Sequence, residues 1–364
     1  MSRLKVVSSK EFVADFVPPD YLIDGVAQLG FIYSMTARTG DGKTAVALTI
    51  AAAVGNGSPL GDHLIERGRV LYFAGENPDD VRMRWIAMGA RMKFDVDKID
   101  VHFVAGTGSI SSDMDIIAEK VKRLRGVDLV IVDTSAAYFE GKNENDNVDA
   151  GKHWRMLREL TQLDGGPCVI VPCHPTKSAS DDNLLPRGGG AAIAEVDGNL
   201  TCVKDGEFIA LHWQGKHRGP DFDALHFAWS VVTCDELVDS KDRKIPTVIA
   251  RALTAPDYSE RVSDVRKDEV KVLQAMRDKE GASISAIAVA LGWKFKDGNP
   301  AKSKVQRIQK QLTKDKLIKK VRGNYELTET GAKVAGTARV AKPARGVIAN
   351  GDARRGTKSG TANA

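Results

Sequence analysis

A glycine-containing segment, residues 37–44 with the sequence ARTGDGKT, joins an apolar run to an alanine-rich stretch. Glycines in a strand-to-helix turn leave backbone N–H groups free to converge on an anion, and the helix N-terminus adds its positive dipole end. In such a loop the lysine reaches the β- and γ-phosphates and the following hydroxyl binds Mg²⁺. We therefore predict a site for ATP and Mg²⁺. Its predicted nucleotide-binding residues are Arg38, Thr39, Gly40, Asp41, Gly42, Lys43, Thr44 and Ala45.

This loop departs at one position from the pattern G-x-x-x-x-G-K-[ST], because Ala37 stands where the first glycine is usual. A small residue is easier to accommodate there than at Gly42, where a Cβ would crowd the phosphate. The alternative is an ordinary glycine-rich turn that happens to contain a lysine. The order of apolar strand, loop and helix favours the nucleotide site.

Two acidic residues follow other apolar runs. Asp133 ends the run DLVIVD, and Glu76 follows the run RVLYFA. Ligands of parallel α/β sheets bind at the carboxyl ends of the strands, so we expect both acids to lie near Lys43 and Thr44. Asp133 is then the acid that holds Mg²⁺ together with Thr44, and Glu76 is placed to polarise an attacking water. The alternative for each is a helix cap or a surface acid.

Two further positions carry candidate catalytic residues. His174 directly follows the strand-like run CVIVPC and is either a sensor of the γ-phosphate or a core histidine. Lys216 and Arg218 flank a histidine in a predicted turn after a strand over 208–213. A cation supplied by a neighbouring subunit stabilises the charge that develops on a transferred phosphoryl group. A solvated basic turn is the alternative there.

These candidates need a scaffold of alternating strands and helices. Such alternation predicts a parallel sheet with right-handed crossovers. Between residues 199 and 229 the spacing changes to short strands separated by turns, which predicts antiparallel additions at the sheet edge. The predicted strands are 69–74, 102–105, 128–133 and 168–173, and the predicted helices are 45–54, 79–92, 113–124 and 149–163.

The C-terminal third has a different organisation. Helical periodicity over 265–279, 283–291 and 302–315 precedes two short strands within 317–327, which turn at Arg322-Gly323-Asn324. Residues from 333 onward contain too little apolar bulk to fold, so we expect a disordered basic tail. The predicted division is an approach segment (1–30), an ATPase domain (31–235), a charged linker with a short helix (236–263), a small domain (264–332) and the tail (333–364).

Charge is distributed unevenly along the chain. Residues 264–364 contain 23 Lys and Arg against ten Asp and Glu, which gives them +13 and leaves −8 for residues 1–263 of a total of +5. An acidic front and a basic back indicate that nucleotide chemistry and polyanion contact are divided between segments.

Composition and the cysteines restrict the class of protein. The apolar fraction of 42% and charged fraction of 28% are those of a globular protein, and no apolar run is long enough for a bilayer. We expect a cytoplasmic protein with no membrane partner. The four cysteines have no Cys-x-x-Cys spacing, and Cys168 and Cys173 should face opposite sides of one strand, so they are interpreted as buried apolar residues.

Taken together, these motifs resemble the RecA-like ATPases of the hexameric replicative helicase type, with the greatest similarity to the RepA-like plasmid and phage helicases. The resemblance covers about residues 15–235. It implies a homo-oligomeric ring, a hexamer, that binds single-stranded DNA in its channel. It also implies that Glu76 is the catalytic base, that Asp133 is the Mg²⁺ acid and that His174 links the γ-phosphate to the DNA-facing loop.

The same resemblance implies roles for two further sites. Lys216 and Arg218 match a Lys-x-Arg finger that reaches the neighbouring subunit's ATP. The segment from Arg187 to Ala192, preceded by Lys177, occupies the position of the flexible DNA-contacting loop, and its three consecutive glycines predict an unusually loose loop.

The small domain resembles a winged helix. Its third helix holds the predicted DNA-binding residues Lys302, Lys304, Arg307 and Lys310. Their spacing indicates that these basic residues occupy more than one face, which favours phosphate contact over base reading. The alternative is a winged helix used for protein contact.

The sequence leads to the expectation of a Mg²⁺- and ATP-dependent ring motor that unwinds duplex DNA. One alternative is a RecA-like ATPase that loads or remodels DNA, such as a recombination mediator. Another is a DNA-binding regulator of replication or partition that ATP switches between assembly states. Glu76, Lys216 and Arg218 favour ATP turnover over switching, but they do not separate unwinding from remodelling.

Overall fold

The structure is a computed structural model that describes residues 6–337 except Glu280, Lys296 and Arg322. Contacts within the chain divide it between Val262 and Ser263 into two compact units. The predicted tail lies outside the described residues from 338 onward, as do residues 1–5 of the predicted approach segment and Arg322 of the predicted turn.

The first unit is built on a nine-stranded sheet. Across the sheet the strand order is β11-β10-β9-β8-β3-β7-β6-β4-β5, and a separate pair is formed by β1 and β2. The bounds are β1 (Tyr21–Ile23), β2 (Ala27–Gln28), β3 (Ile32–Thr36), β4 (Val70–Ala74), β5 (Val101–Ala105), β6 (Leu129–Asp133), β7 (Cys168–Cys173), β8 (Gly198–Asp205), β9 (Phe208–His217), β10 (Leu225–Val232) and β11 (Thr247–Leu253).

The helices of this unit, apart from α1 before the first strand, connect its parallel strands. They are α1 (Ser9–Val13), α2 (Lys43–Asn56), α3 (Pro78–Met92), α4 (Ile110–Arg123), α5 (Asn147–Glu159) and α6 (Gly189–Glu195), and short 3₁₀ helices occupy Ser135–Tyr138 and Leu160–Gln162. Helix α7 (Ala255–Asp278) begins before the boundary between the units. Within the described part of the chain, no helix is both long enough and apolar enough to cross a bilayer.

The central strands confirm the predicted parallel core. β3, β4, β6 and β7 are buried at every residue, because each has an apolar side chain on both faces of the sheet. Two apolar clusters cover these faces, one around α2 and α3 and the other around α4 and α5. Cys168 and Cys173 belong to different clusters, as the odd spacing between them predicts.

At the other end of the sheet the structure differs from the prediction twice. β8 pairs parallel with β3, so the antiparallel part begins only at β9. β11 lies within the predicted linker and pairs with β10 over seven residues. In its sequence TVIARAL buried residues are interrupted by less buried ones, so the strand is only partly covered, as an edge strand can be. The charged residues before it hid this pattern.

The second unit contains α8 (Ile284–Ala290), α9 (Lys302–Lys314), β12 (Ile318–Val321), β13 (Asn324–Leu327) and α10 (Glu329–Thr337), together with the end of α7. Its core includes Leu273 on α7, Ile287 on α8 and Val305 on α9. The predicted helices and strands are present, but α10 extends into the predicted tail. Residues 333–337 are helical there because Ala335 is buried and its carbonyl accepts a hydrogen bond from Arg277.

Candidate functional site

The loop between β3 and α2 has the backbone of an anion-binding turn. Gly40 and Gly42 have φ values of 90° and 88°, a region that favours glycine. Gly42 is the N-cap of α2 and provides no side-chain cap, so the first N–H groups of this helix have no intrahelical acceptor. A Cβ on Gly42 would also lie 2.5 Å from Ile209 Cδ1. The loop can therefore present N–H groups and the helix dipole to a phosphate.

Lys43 and Ala37 occupy different parts of this loop. The Lys43 side chain is only 8% exposed, and no described residue forms a hydrogen bond with its ammonium group. A buried cation without such a partner suits an anionic ligand. Ala37 is fully buried, and its N–H donates to the Cys173 carbonyl at 3.2 Å. The position that lacks the usual glycine therefore serves strand pairing and packing.

Asp133 lies beside this loop at the end of β6. The Thr44 hydroxyl donates to its Oδ1 at 3.3 Å, and the Tyr72 hydroxyl donates to its Oδ2 at 2.6 Å. Burial is the largest influence on its pKa, which lies above the ordinary value although these hydroxyls and the Lys43 charge lower it. The carboxylate is thus held by hydroxyl groups and not by a guanidinium or ammonium contact.

The residues around Asp133 fit a magnesium ion. Thr44 and Asp133 offer a hydroxyl and a carboxylate oxygen, the ligand types that Mg²⁺ prefers. Binding a cation would compensate the cost of burying the Asp133 charge, which is visible in its raised pKa. The expected metal ligands are therefore next to each other.

Glu76 lies in the short connection between β4 and α3. Its place is determined by Asn77, whose side chain accepts from the Asp80 N–H as the N-cap of α3, and by Pro78 at the first helical position. Glu76 is exposed, and its charge raises the pKa values of both Asp133 and His174. The Glu76 charge therefore acts on the same group of side chains as the Thr44–Asp133 pair.

His174 follows β7 and lies between the loop and a second polar group. Burial lowers the pKa of its imidazole, and the positive charges of Lys43 and Arg187 lower it further. Arg187 forms an ion pair with Glu144 at 2.5 Å, and its backbone N–H donates to the His174 carbonyl at 2.9 Å. The lowered pKa favours a neutral imidazole, and its ring is close enough to feel the charges of both Lys43 and Arg187.

The predicted DNA-contacting loop differs in part from the expectation. Residues 174–188 form a narrow loop closed by bridges between Pro175 and Pro186 and between Ser180 and Asn183. The three glycines end this loop, since Gly188 is the N-cap of α6 and the next two glycines are its first residues. Lys177 is exposed, as expected of a DNA contact. Arg187 is paired with Glu144, so its surroundings differ from those of a free cation in a loose loop.

Lys216 lies elsewhere than in the predicted turn, whereas Arg218 lies in a bend directly after β9. β9 continues to His217, so Lys216 is part of the strand. Its ammonium donates to the carbonyls of Ile193 and Ala194 at 2.9 and 3.1 Å, which caps the C-terminus of α6. Arg218 keeps 62% of its side chain exposed and lies 3.5 Å from Asp197. Of the two predicted finger residues, Arg218 is the one available to a neighbour.

Sheet register places Arg218 far from the phosphate-binding loop of its own chain. His217 lies opposite Gly198, and Gly198 lies beside Tyr33 near the start of β3. The loop follows Thr36 at the other end of that strand. At a rise of about 3.3 Å per residue the two levels are roughly 10 Å apart along the sheet. Arg218 therefore lies at the opposite end of the strands from its own loop.

Several contacts near the site could not be predicted from the sequence. Asn199 accepts hydrogen bonds from Ser34 and Thr36 beneath the loop, at 2.9 and 2.7 Å. Arg38 pairs with Asp181, which links the phosphate-binding loop to the loop after β7. Each of these contacts joins residues more than 130 positions apart, so neither motif nor spacing could reveal it.

The basic residues of α9 in the second unit occupy more than one face, as predicted, but they divide unevenly. At 100° per residue, Lys302, Arg307 and Lys310 share an exposed arc of about 140° with Gln306. Lys304 lies on another side, 2.5 Å from Asp268 and with its ammonium 4.2 Å from the Trp293 ring centroid. Three of the four predicted DNA-binding residues therefore form one basic face.

Comparison with known families supports the nucleotide site. A family model described as an AAA domain matches residues 1–180, which include the phosphate-binding loop, Glu76, Asp133 and His174. No curated protein matches the chain significantly. The match and the mainly parallel sheet together support an ATPase domain of the P-loop NTPase kind, a class that binds nucleotide and usually Mg²⁺.

Proposed function

We propose, from the P-loop ATPase domain just described, that this protein is an ATP-hydrolysing motor that assembles as a hexameric ring and translocates on single-stranded DNA. Strand separation during plasmid or phage replication is the role we infer for it. The observation that carries this proposal is the convergence of Lys43, the Thr44–Asp133 pair, Glu76 and His174 at one edge of the sheet.

Each residue of this edge has a role that follows from its surroundings. The N–H groups at the start of α2 and the Lys43 ammonium bind the β- and γ-phosphates of ATP. Thr44 and Asp133 hold Mg²⁺, which when bound neutralises charge on the phosphate oxygens. Glu76 is exposed at the site and can orient a water molecule for attack on the γ-phosphate.

His174 offers a route from the nucleotide to the loop 174–188. Its pKa is lowered, so the ring is neutral near pH 7 and can exchange hydrogen bonds with a phosphate oxygen. Its backbone carbonyl holds Arg187 at the end of the loop that carries Lys177. Loss of the γ-phosphate would in this way change the position of a DNA-contacting lysine.

Ring assembly is supported by the position of Arg218. This residue lies at the edge of the sheet opposite the phosphate-binding loop, and it is largely exposed. An arginine there can stabilise developing phosphoryl charge only in the site of another subunit. A closed ring gives every subunit one such neighbour.

DNA contact by the second unit is supported by the basic face of α9, which we interpret as the third helix of a winged helix. Lys302, Arg307 and Lys310 share an exposed face. Lysine and arginine bind mainly phosphates, so DNA binding should weaken steeply as salt is added.

The first test is ATP hydrolysis by the purified protein with and without single-stranded DNA. We expect DNA to stimulate hydrolysis in the wild type. Lys43→Ala should abolish it, and Glu76→Gln should lower it by about 100-fold or more because the orienting base is lost. Asp79→Asn is the matched control, since Asp79 is an exposed acid three residues away that pairs with Arg82.

The outcomes separate the alternatives. Strong stimulation by DNA that both variants abolish supports the motor, and a strand-displacement assay then distinguishes unwinding from remodelling. Slow hydrolysis that ignores DNA favours a regulator that ATP switches between assembly states. A rate that is unchanged in Lys43→Ala overturns the assignment of the nucleotide site itself.

A further inference from the structure

A tryptophan beside the phosphate-binding loop has no role in the proposed function. Trp229 lies on β10, and its backbone N–H donates to the Glu207 carbonyl in the turn between β8 and β9 at 2.7 Å. A Cβ built on Gly42 would lie 3.6 Å from Trp229 Cδ1, with Ile209 closer still. The indole therefore lies next to the N-cap of α2, where the phosphates are expected.

One face of this indole is covered by a lysine. The ammonium nitrogen of Lys204 lies 3.3 Å from the ring centroid, and Trp229 is only partly buried. A cation over an aromatic face is an electrostatic contact that another planar group can replace. The covered face is thus accessible to a flat ligand when the lysine side chain rotates away.

The order of the strands determines on which side of β3 the nucleoside of a bound nucleotide must lie. Asp133, Glu76 and His174 follow β6, β4 and β7, all on one side of β3. A γ-phosphate at these groups leaves the nucleoside on the other side of β3. That side consists of β8, β9, β10 and β11, and β9 and β10 bring Ile209 and Trp229 to the loop.

We propose that Trp229 and Ile209 form the nucleobase site, with the base stacked on the indole face that Lys204 covers. The displaced Lys204 ammonium can then approach the phosphates, because its charge already acts on Asp41 in the loop. The inference rests on the proposed nucleotide binding and adds the group that recognises the base. Stacking accepts any base, so the site should prefer nucleotides over inorganic phosphates without strict choice among bases.

The test compares two ligands that share the triphosphate and differ in the nucleoside. Binding of ATP and of inorganic tripolyphosphate is measured calorimetrically with Mg²⁺ for wild type, Trp229→Ala and Trp229→Phe. We expect Trp229→Ala to weaken ATP binding about tenfold, the usual order for one stacked base, and to leave tripolyphosphate binding unchanged. Trp229→Phe keeps an aromatic face and should retain most of the ATP affinity.

Trp293→Ala is the matched control, because Trp293 is also partly buried and lies under a lysine, Lys304, in the second unit. It should bind both ligands as the wild type does. Thermal unfolding of each variant shows whether it is folded, and a misfolded Trp229→Ala leaves Trp229→Leu as the second non-aromatic variant.

Three results would overturn the base site. They are unchanged ATP binding in the folded non-aromatic variant, an equal loss of both ligands in that variant, and a wild type that binds neither ligand. The last result also overturns the proposed function. If the wild type binds both ligands and the folded non-aromatic variant binds ATP equally well, only the proposed base site is overturned.

Discussion

Asp133 and Asp197 are both buried carboxylates at the ends of the central sheet, and they differ in what holds them. Asp133, at the edge with the phosphate-binding loop, accepts hydrogen bonds from the hydroxyls of Thr44 and Tyr72. Asp197, at the opposite edge, accepts from Arg158 and from the Ile32 N–H, both at 3.0 Å, and pairs with Arg218. Asp133 is thus held by hydroxyl groups, whereas Asp197 is held by two arginines.

This contrast separates a functional acid from a structural one where burial alone does not. The two residues are 3% and 2% exposed. A buried charge needs a partner, so the absence of a guanidinium or ammonium contact to Asp133 among the described residues indicates that its partner comes from outside the chain. Asp197 instead joins two arginines of different elements, Arg158 on α5 and the exposed Arg218 after β9.

The largest effect is expected at the edge that holds Asp197. Arg218→Ala should lower kcat for ATP hydrolysis by about 10³-fold, because an arginine supplied in trans stabilises the transferred phosphoryl group. Mixing this variant with Lys43→Ala should restore part of the activity, since each protomer then supplies what the other lacks. The rate is measured as a function of the mixing ratio.

Arg155→Ala is a close control for Arg218→Ala. Arg155 also keeps 62% of its side chain exposed and also lies 3.5 Å from a carboxylate, that of Glu195. It should hydrolyse ATP like the wild type. Mixed protomers that stay inactive at every ratio would contradict a site shared between subunits.

The second largest effect is expected at the other edge. Asp133→Asn should lower hydrolysis by about 100-fold and raise the Mg²⁺ concentration needed for half-maximal rate, because a metal ligand is lost. Titration of Mg²⁺ at saturating ATP measures both. Asp197→Asn should keep the wild-type Mg²⁺ requirement, and a shift in that variant would break the contrast between the two acids.

The third effect concerns stability, for which we expect Asp197 to matter more than Asp133. Asp197→Asn should lower the free energy of unfolding by about 2 kcal/mol, below the usual 3 to 5 for a buried pair because Arg158 and Arg218 are partly exposed. Asp133→Asn should cause no such loss. Urea unfolding followed by circular dichroism compares them, and equal losses would show that both acids are structural.

The sequence predicts the part of this contrast that depends on local pattern. The strand Cys168–Cys173 agrees with its predicted bounds, and β6 ends at Asp133 as expected, because continuous apolar runs with polar ends have few other solutions in a parallel sheet. The common edge for Glu76, Asp133 and His174 follows from the parallel order alone.

The remaining contacts depend on tertiary approach and could not be predicted. Tyr72 and Asp133 are 61 positions apart, and only the pairing of β4 with β6 brings them together. Lys216 was expected at a neighbouring subunit, but the end of α6 lies within its reach. The sequence predicts a charged linker where the structure has edge strand β11, because seven residues with mixed burial next to charged residues give a weak strand signal.

The smallest effect follows from the raised pKa of Asp133. Burial raises this pKa above the ordinary value of 3.8, so the ionised carboxylate destabilises the folded protein when no metal is bound. Near pH 7 Asp133→Asn should therefore be slightly more stable than the wild type. As the pH falls through the raised pKa, the folded wild type takes up a proton before the unfolded chain does, and the difference shrinks until it vanishes below about 3.8. Urea unfolding from pH 7 to pH 4 without Mg²⁺ measures how this stability difference shrinks.

Adding Mg²⁺ with nucleotide at pH 7 should make the wild type more stable than Asp133→Asn, because only the wild type gains a cation at the carboxylate. A stability difference that is constant with pH and indifferent to Mg²⁺ would mean that the Asp133 charge is already compensated within the chain, as that of Asp197 is.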